Sequence, residues 1–209
     1  MRVAPVLVVL AGLSLSACTA DPAPPSAGSI APVIAPGRPG EAARTIGPGE
    51  AATAVPTPTA NAADVRYVQD MIVHHRQALD MAILAPARAG TPRLKSLASR
   101  INDSQLPEVQ VMTSWLREQG QRLPDHHAGH AGMPGMATPE QMEALAAASG
   151  GEFDRLFLQL MIAHHQGALT MSEQVLTAGS HLRIEELANE IAATQAGEIR
   201  RMLEMRRAA

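Results

Sequence analysis

Aromatic side chains are nearly missing from this sequence: 209 residues include two phenylalanines, one tyrosine and one tryptophan. A core must then be aliphatic and methionine-based, a composition that suits packed helices. Cysteine is represented once, at Cys18. Everything after it lacks a thiol, which excludes disulfides, Cys-based zinc sites and thiol redox chemistry in the body of the chain. Basic charge is also short, with a formal net charge of -3, so there is no electrostatic footprint for nucleic acid. No Gly-rich phosphate loop and no Ser-His-Asp pattern appears. Any metal ligands must come from His, Met, Asp and Glu.

The amino-terminal stretch carries one charge, Arg2, then an apolar run from Val3 to Leu15 that leads into Leu15-Ser16-Ala17-Cys18. This resembles a bacterial lipoprotein signal, cut before the cysteine and lipidated on it; an ordinary signal peptide or a membrane anchor is the alternative. Residues 1–17 are accordingly expected to be a signal peptide, and 18–62 a lipidated cysteine with an Ala/Pro/Gly-rich tether too poor in large apolar groups to offset chain entropy. The expected product is exported and lipid-anchored at the cell envelope, on the periplasmic side or the extracellular face.

What the chain does have is one stretch written twice. Asp64 to Met81 contains Asp, Gln, Met-Ile, His-His, Ala-Leu and Met in the register that Asp154 to Met171 repeats. The same offset carries Arg93, Leu97, Ala98, Ile101, Gln105, Glu108 and Met112 onto Arg183, Leu187, Ala188, Ile191, Gln195, Glu198 and Met202. Residues 63–209 therefore form a duplicated domain, with repeats at 64–120 and 154–207.

Each repeat predicts a helical hairpin. The first helix starts near Asn61 to Asp64 and runs to about Ala85, with Pro86 and Gly90 marking its end; Thr91-Pro92 opens a second that reaches about Gly120. A loop covers 121–137, and Thr138-Pro139-Glu140-Gln141 starts a short connecting helix that stops at Gly150-Gly151. Long helices at about 153–178 and 181–206 complete the chain. The expected fold is all-α, a four-helix bundle made of two hairpins, because a lone hairpin leaves an apolar stripe of each helix exposed.

Met71, His74, Ala78 and Met81 fall at the spacing of a bundle-facing seam, as do Met161, His164, Ala168 and Met171. His75 and His165 are rotated by about 100° onto the flank. On the partner helices Gln105, Glu108 and Met112, and Gln195, Glu198 and Met202, occupy the core stripe. A buried amide or carboxylate there requires a partner, which imidazole or metal would supply. Pro107 and Gly197 precede the two glutamates and predict a local bend. The loop brings His126, His127, His130, Met133 and Met136 together among small spacers that let ligands wrap an ion. His181 has no such company. Thioether sulfur favours Cu(I) or Ag(I) over hard divalent ions, and imidazole also takes Cu(II). Iron is the lesser alternative, since Met-x-x-His stands where di-iron bundles place Glu-x-x-His.

At Met71-Ile72-Val73-His74-His75 and Met161-Ile162-Ala163-His164-His165-Gln166-Gly167-Ala168-Leu169, with Met133-Pro134-Gly135-Met136 between them, the chain closely resembles the bacterial family called domain of unknown function 305. The resemblance implies a ferritin-like helical bundle, export or lipid anchoring, and, as for some members, copper binding and tolerance. By position it makes Met71, His74, His75, Met81, Met161, His164, His165 and Met171 the candidate ligands. The leading expectation is copper sequestration or transfer, with Glu108 and Glu198 orienting imidazoles from behind and a copper-handling protein as a partner. A ferritin-like metal oxidase and a metal-free envelope adaptor with a His/Gln/Glu network are the alternatives.

Overall fold

The computed structural model describes residues 33–35, 42–47, 50, 59–125 and 132–208. The expected signal peptide and Cys18 lie outside them, as do His126, His127 and His130. The chain divides into two compact units, Met1–Pro56 and Thr57–Ala209.

In the first unit, β1 (Val33–Ala35) pairs antiparallel with β2 (Arg44–Ile46), setting Val33 opposite Ile46 and Ala35 opposite Arg44. The tether composition predicts no regular structure here. β-branched Val33, Ile34, Thr45 and Ile46 supply the local strand propensity for this short ladder.

The second unit is all-α. Its helices are α1 (Ala62–Ala82), α2 (Ala85–Arg88), α3 (Pro92–Glu118), α4 (Pro139–Ala147), α5 (Gly150–Ala178) and α6 (Leu182–Ala208). Capping residues set the starts. Asn61 and Asp64 form a capping box on α1, Thr138 and Gln141 form one on α4, and the Thr91 hydroxyl accepts from the Leu94 N–H at the start of α3. Two boundaries differ from expectation. Pro86 sits in the first turn of the short α2, where its missing N–H costs nothing, and α1 has already ended at Ala82. Gly150-Gly151 opens α5 instead of closing α4; Gly150 has φ 61°, which glycine adopts without steric cost. Pro107 and Gly197 interrupt neither α3 nor α6.

α1 packs on α3, α5 on α6, and the two hairpins meet along α1 and α5. Repeat-related aspartates fasten them. Asp154 on α5 accepts from the Gly90 and Thr91 N–H groups (2.8 and 3.1 Å) and the Thr91 hydroxyl (2.8 Å). Asp64 on α1 accepts from the Ser180 N–H (3.1 Å) and hydroxyl (3.3 Å). The N-terminal end of each of these helices thus holds the turn of the opposite hairpin, so α1 and α5 run antiparallel. Two buried clusters result. One holds Met71, Met112 and Met171 with Trp115, Leu116, Ile184 and Ile191; the other holds Met81, Met161, Met202 and Met205 with Phe153 and Phe157.

Candidate metal site

Where α1 packs on α5, the two His-His motifs meet. The His74 and His164 rings lie 3.7 Å apart between centroids and are inclined by 34°. All four histidines of the two pairs are fully buried. His75 and His165, expected on the flanks, reach the adjacent helices: Nε2 of His75 bonds Glu108 Oε2 on α3, and Nε2 of His165 bonds Glu198 Oε2 on α6, each at 2.7 Å. The match between copies is close because both residues of each pair belong to the repeat.

The inner histidines break this symmetry. His164 donates from Nε2 to the His74 carbonyl at 2.9 Å, whereas His74 donates from Nε2 to the Pro134 carbonyl of the central loop at 3.1 Å. In all four rings Nε2 faces an acceptor oxygen, so Nε2 carries a proton. Among the described residues, Nδ1 of His75, His164 and His165 has no hydrogen-bond partner. Leaving a buried ring nitrogen unsatisfied costs about 1–3 kcal/mol. Burial pushes the His164 imidazole well below its usual range, and the neighbouring His74, His165 and His75 push it further. That holds the ring neutral, the form that ligates metal.

The methionines flank this crossing in exchanged pairs. Met71 shares its cluster with Met171 and Met112, and Met161 shares the other with Met81 and Met202. Each cluster thus combines the first methionine of one motif with the last of the other, as antiparallel crossing dictates.

Two expectations need correction. Gln105 and Gln195 are buried, yet among the described residues neither their Nε2 nor their Oε1 atoms have a hydrogen-bond partner. Imidazole satisfies only the glutamates one turn on, because the rings point there. The end of the central loop is also held in place instead of freely wrapping: Gln77 exchanges two hydrogen bonds with Ala137 (2.9 and 2.8 Å), and Gly135, at φ 75°, lies against α5. A Cβ on Gly135 would collide with the Ala163 carbonyl, and one on Gly167 with the Pro134 carbonyl. Met133 and Met136 are half-buried in this segment. Met133 lines a surface cavity of about 290 Å³ with Gln69, Asp70, Leu123 and Asp125. The sequence alone assigns Gln77 and Gly167 no role, although Gly167 lies within the Met161–Leu169 motif. They occupy the same repeat position with different residues, and a glycine inside a long helix was the available signal. His181, edge-on to Trp115 at 5.4 Å, precedes α6 and accepts from the Ile184 N–H through its carbonyl.

Among the described residues, no group of three or more His, Cys, Asp or Glu side chains is arranged to hold an ion. The donors present at the crossing, imidazole nitrogen with methionine sulfur in the flanking clusters and carboxylates behind His75 and His165, fit a soft ion.

Residues 64–206 match the family described as Domain of unknown function (DUF305). The chain belongs to the DUF305 family. A DUF305 fragment from Deinococcus radiodurans is similar to it at 37% identity and TM-score 0.65, over 71% of this chain and 97% of that one. A DUF305 protein from Streptomyces coelicolor follows at 30% identity and TM-score 0.63, over 68% and 89%. CopM in its Cu(I)-bound form is 31% identical with TM-score 0.59, over 69% and 96%, and CopM is also known in Cu(II)-bound and Ag-bound forms. No curated protein matches the chain.

Proposed function

We propose that this DUF305 protein is an exported, metal-binding lipoprotein that sequesters or transfers copper, chiefly Cu(I), with Ag(I) and Cu(II) as further ions. The observation that carries the proposal is the set of buried imidazoles whose Nε2 atoms are fixed by oxygen acceptors, leaving Nδ1 atoms of His75, His164 and His165 without hydrogen-bond partners. A metal-ligating histidine characteristically donates its other nitrogen to a carboxylate or carbonyl, which fixes its tautomer and raises its basicity. Met71, Met81, Met161 and Met171 would supply soft sulfur beside those rings, with Met112 and Met202 packed behind them. The copper- and silver-bound forms of CopM, a relative of the same fold, support the choice of ion. Anchoring would come through Cys18. Among the described residues no helix is long and apolar enough to cross a membrane. His126, His127, His130, Met133 and Met136 would capture the ion or hand it to a partner protein.

The test is an anaerobic thermal melt with Cu(I), against Zn(II) and Fe(II) controls, for the protein and its His74→Ala/His164→Ala variant. A ligand binding only the folded state stabilises it by about 2.7 kcal/mol at a hundredfold excess over its dissociation constant. The expected result is a Cu(I)-selective rise in Tm that the variant loses. The completed Nε2 hydrogen bonds favour a second reading, a polar network serving only the fold, which an unchanged Tm with every ion would support. An iron oxidase has less behind it, because Glu108 and Glu198 are each taken up by an imidazole.

A further inference from the structure

The two copies of the motif share their ligand types, but they are held differently. His164 is oriented by a carbonyl of helix α1, a fixed part of the bundle. His74 is oriented by the Pro134 carbonyl, part of a loop that no repeat symmetry supplies. Three further contacts hold that loop. Gln77, one turn beyond His74, receives the Ala137 N–H on its Oε1 and donates from Nε2 to the Ala137 carbonyl. Gly167 on α5 leaves room for the Pro134 carbonyl, which a Cβ would displace. Gly135 takes a positive φ and lies against the Ala163 carbonyl. Gln77 and Gly167 are repeat mates that have diverged: one clamps the loop from α1, the other clears its seat on α5.

We propose that Gln77 and Gly167 are positioning residues that seat Pro134–Ala137 so that its carbonyl fixes the His74 tautomer, making ion binding at the first motif loop-dependent and at the second loop-independent. The proposal rests on the copper-binding reading for its ion, but its positioning half can be measured without any ion. The Pro134 carbonyl, accepting from Nε2, favours the tautomer protonated there, and without that acceptor the preference is lost. Outer hydrogen-bond partners of metal-ligating histidines are typically worth 10- to 100-fold in affinity.

The experiment uses the purified protein labelled with 15N-histidine, the Gln77→Leu variant, which keeps volume but loses both hydrogen bonds, and Gly167→Ala. Metal-free long-range 1H–15N spectra should show His74 as the Nε2–H tautomer in the parent and as a tautomer mixture in both variants, with His75, His164 and His165 unchanged. Ag(I), chosen as a redox-inert probe, should then bind the first motif about 10- to 100-fold more weakly in the variants while the second is unaffected. An unchanged His74 tautomer in both variants would overturn the positioning role. Equal losses at both motifs would overturn the loop-dependent asymmetry. A tautomer change with no Ag(I) binding by the parent would uphold the positioning of His74 and sink the metal reading instead.

Discussion

Two glycines inside long helices should respond to the same substitution with opposite signs. Gly197→Ala adds a methyl whose nearest neighbours are the Arg200 and Arg201 Nη2 atoms at 3.6 Å, an ordinary contact with flexible side-chain ends. Relief of the helical cost of glycine should then dominate, raising stability by about 1 kcal/mol. Gly167→Ala gains the same term, but its methyl collides with the Pro134 carbonyl and backbone. Lifting the loop removes the His74–Pro134 bond and both Gln77–Ala137 bonds, each contributing about 1 kcal/mol net. The balance is a loss of about 2 kcal/mol. For a domain of this size, thermal unfolding should show Gly167→Ala lower by about 4–8 °C and Gly197→Ala higher by about 2–4 °C. If Gly167→Ala raised Tm as Gly197→Ala does, the loop seat described here would be wrong.

Three other outcomes are expected. Tyr67, the only tyrosine, is buried against Ser172 (3.0 Å), and burial pushes its hydroxyl up to about 12; ultraviolet titration of tyrosinate should therefore find one late midpoint, and an ordinary one near 10 would contradict that burial. His164 is held neutral by the fold, so the unfolded chain takes up its proton first as pH falls below about 6.5. The stability it supports is complete above that pH and declines below it by up to about 1.4 kcal/mol per pH unit; urea midpoints of the metal-free protein at about pH 7.5 and about pH 5.5 should show the loss, and a steeper decline in a His164→Gln variant would refute it. Asp154→Ala removes three hydrogen bonds from the Gly90–Thr91 turn, and Asp64→Ala removes those from the Ser180 N–H and hydroxyl together with the Asn61 N–H of its own cap. Each should cost about 2–3 kcal/mol in denaturant unfolding; a negligible effect would mean that these aspartates do not fasten the hairpins.

The register shared by the two stretches made much of this structure legible in the sequence. Residues shared at one offset predict equivalent roles, and the His75–Glu108 and His165–Glu198 pairs are the clearest case, since imidazole and carboxylate recur together. Capping residues likewise marked helix starts at Asn61, Thr91 and Thr138. The illegible parts are those that lie outside the repeat or depend on the angle between hairpins. Pro134 bonds His74 through a backbone carbonyl, which side-chain chemistry does not advertise. Gln77 and Gly167 differ between copies, so repeat comparison passes over them. Gln105 and Gln195 sit on the core stripe as their spacing predicts, but helical periodicity does not say which way a neighbouring imidazole points. The loop composition of small residues predicted freedom, while Gly135 and Gly167 use their smallness for close approach.

Copper coordination can be read from X-ray absorption at the copper edge on the anaerobic Cu(I)-loaded protein carrying Cys18→Ser. With the only cysteine removed, sulfur around the ion can come only from methionine. The proposal predicts a mixed sulfur and imidazole-nitrogen shell, and a loss of imidazole nitrogen in the His74→Ala/His164→Ala variant. A shell without sulfur, or one identical in the variant, would contradict copper binding at the buried Met/His crossing.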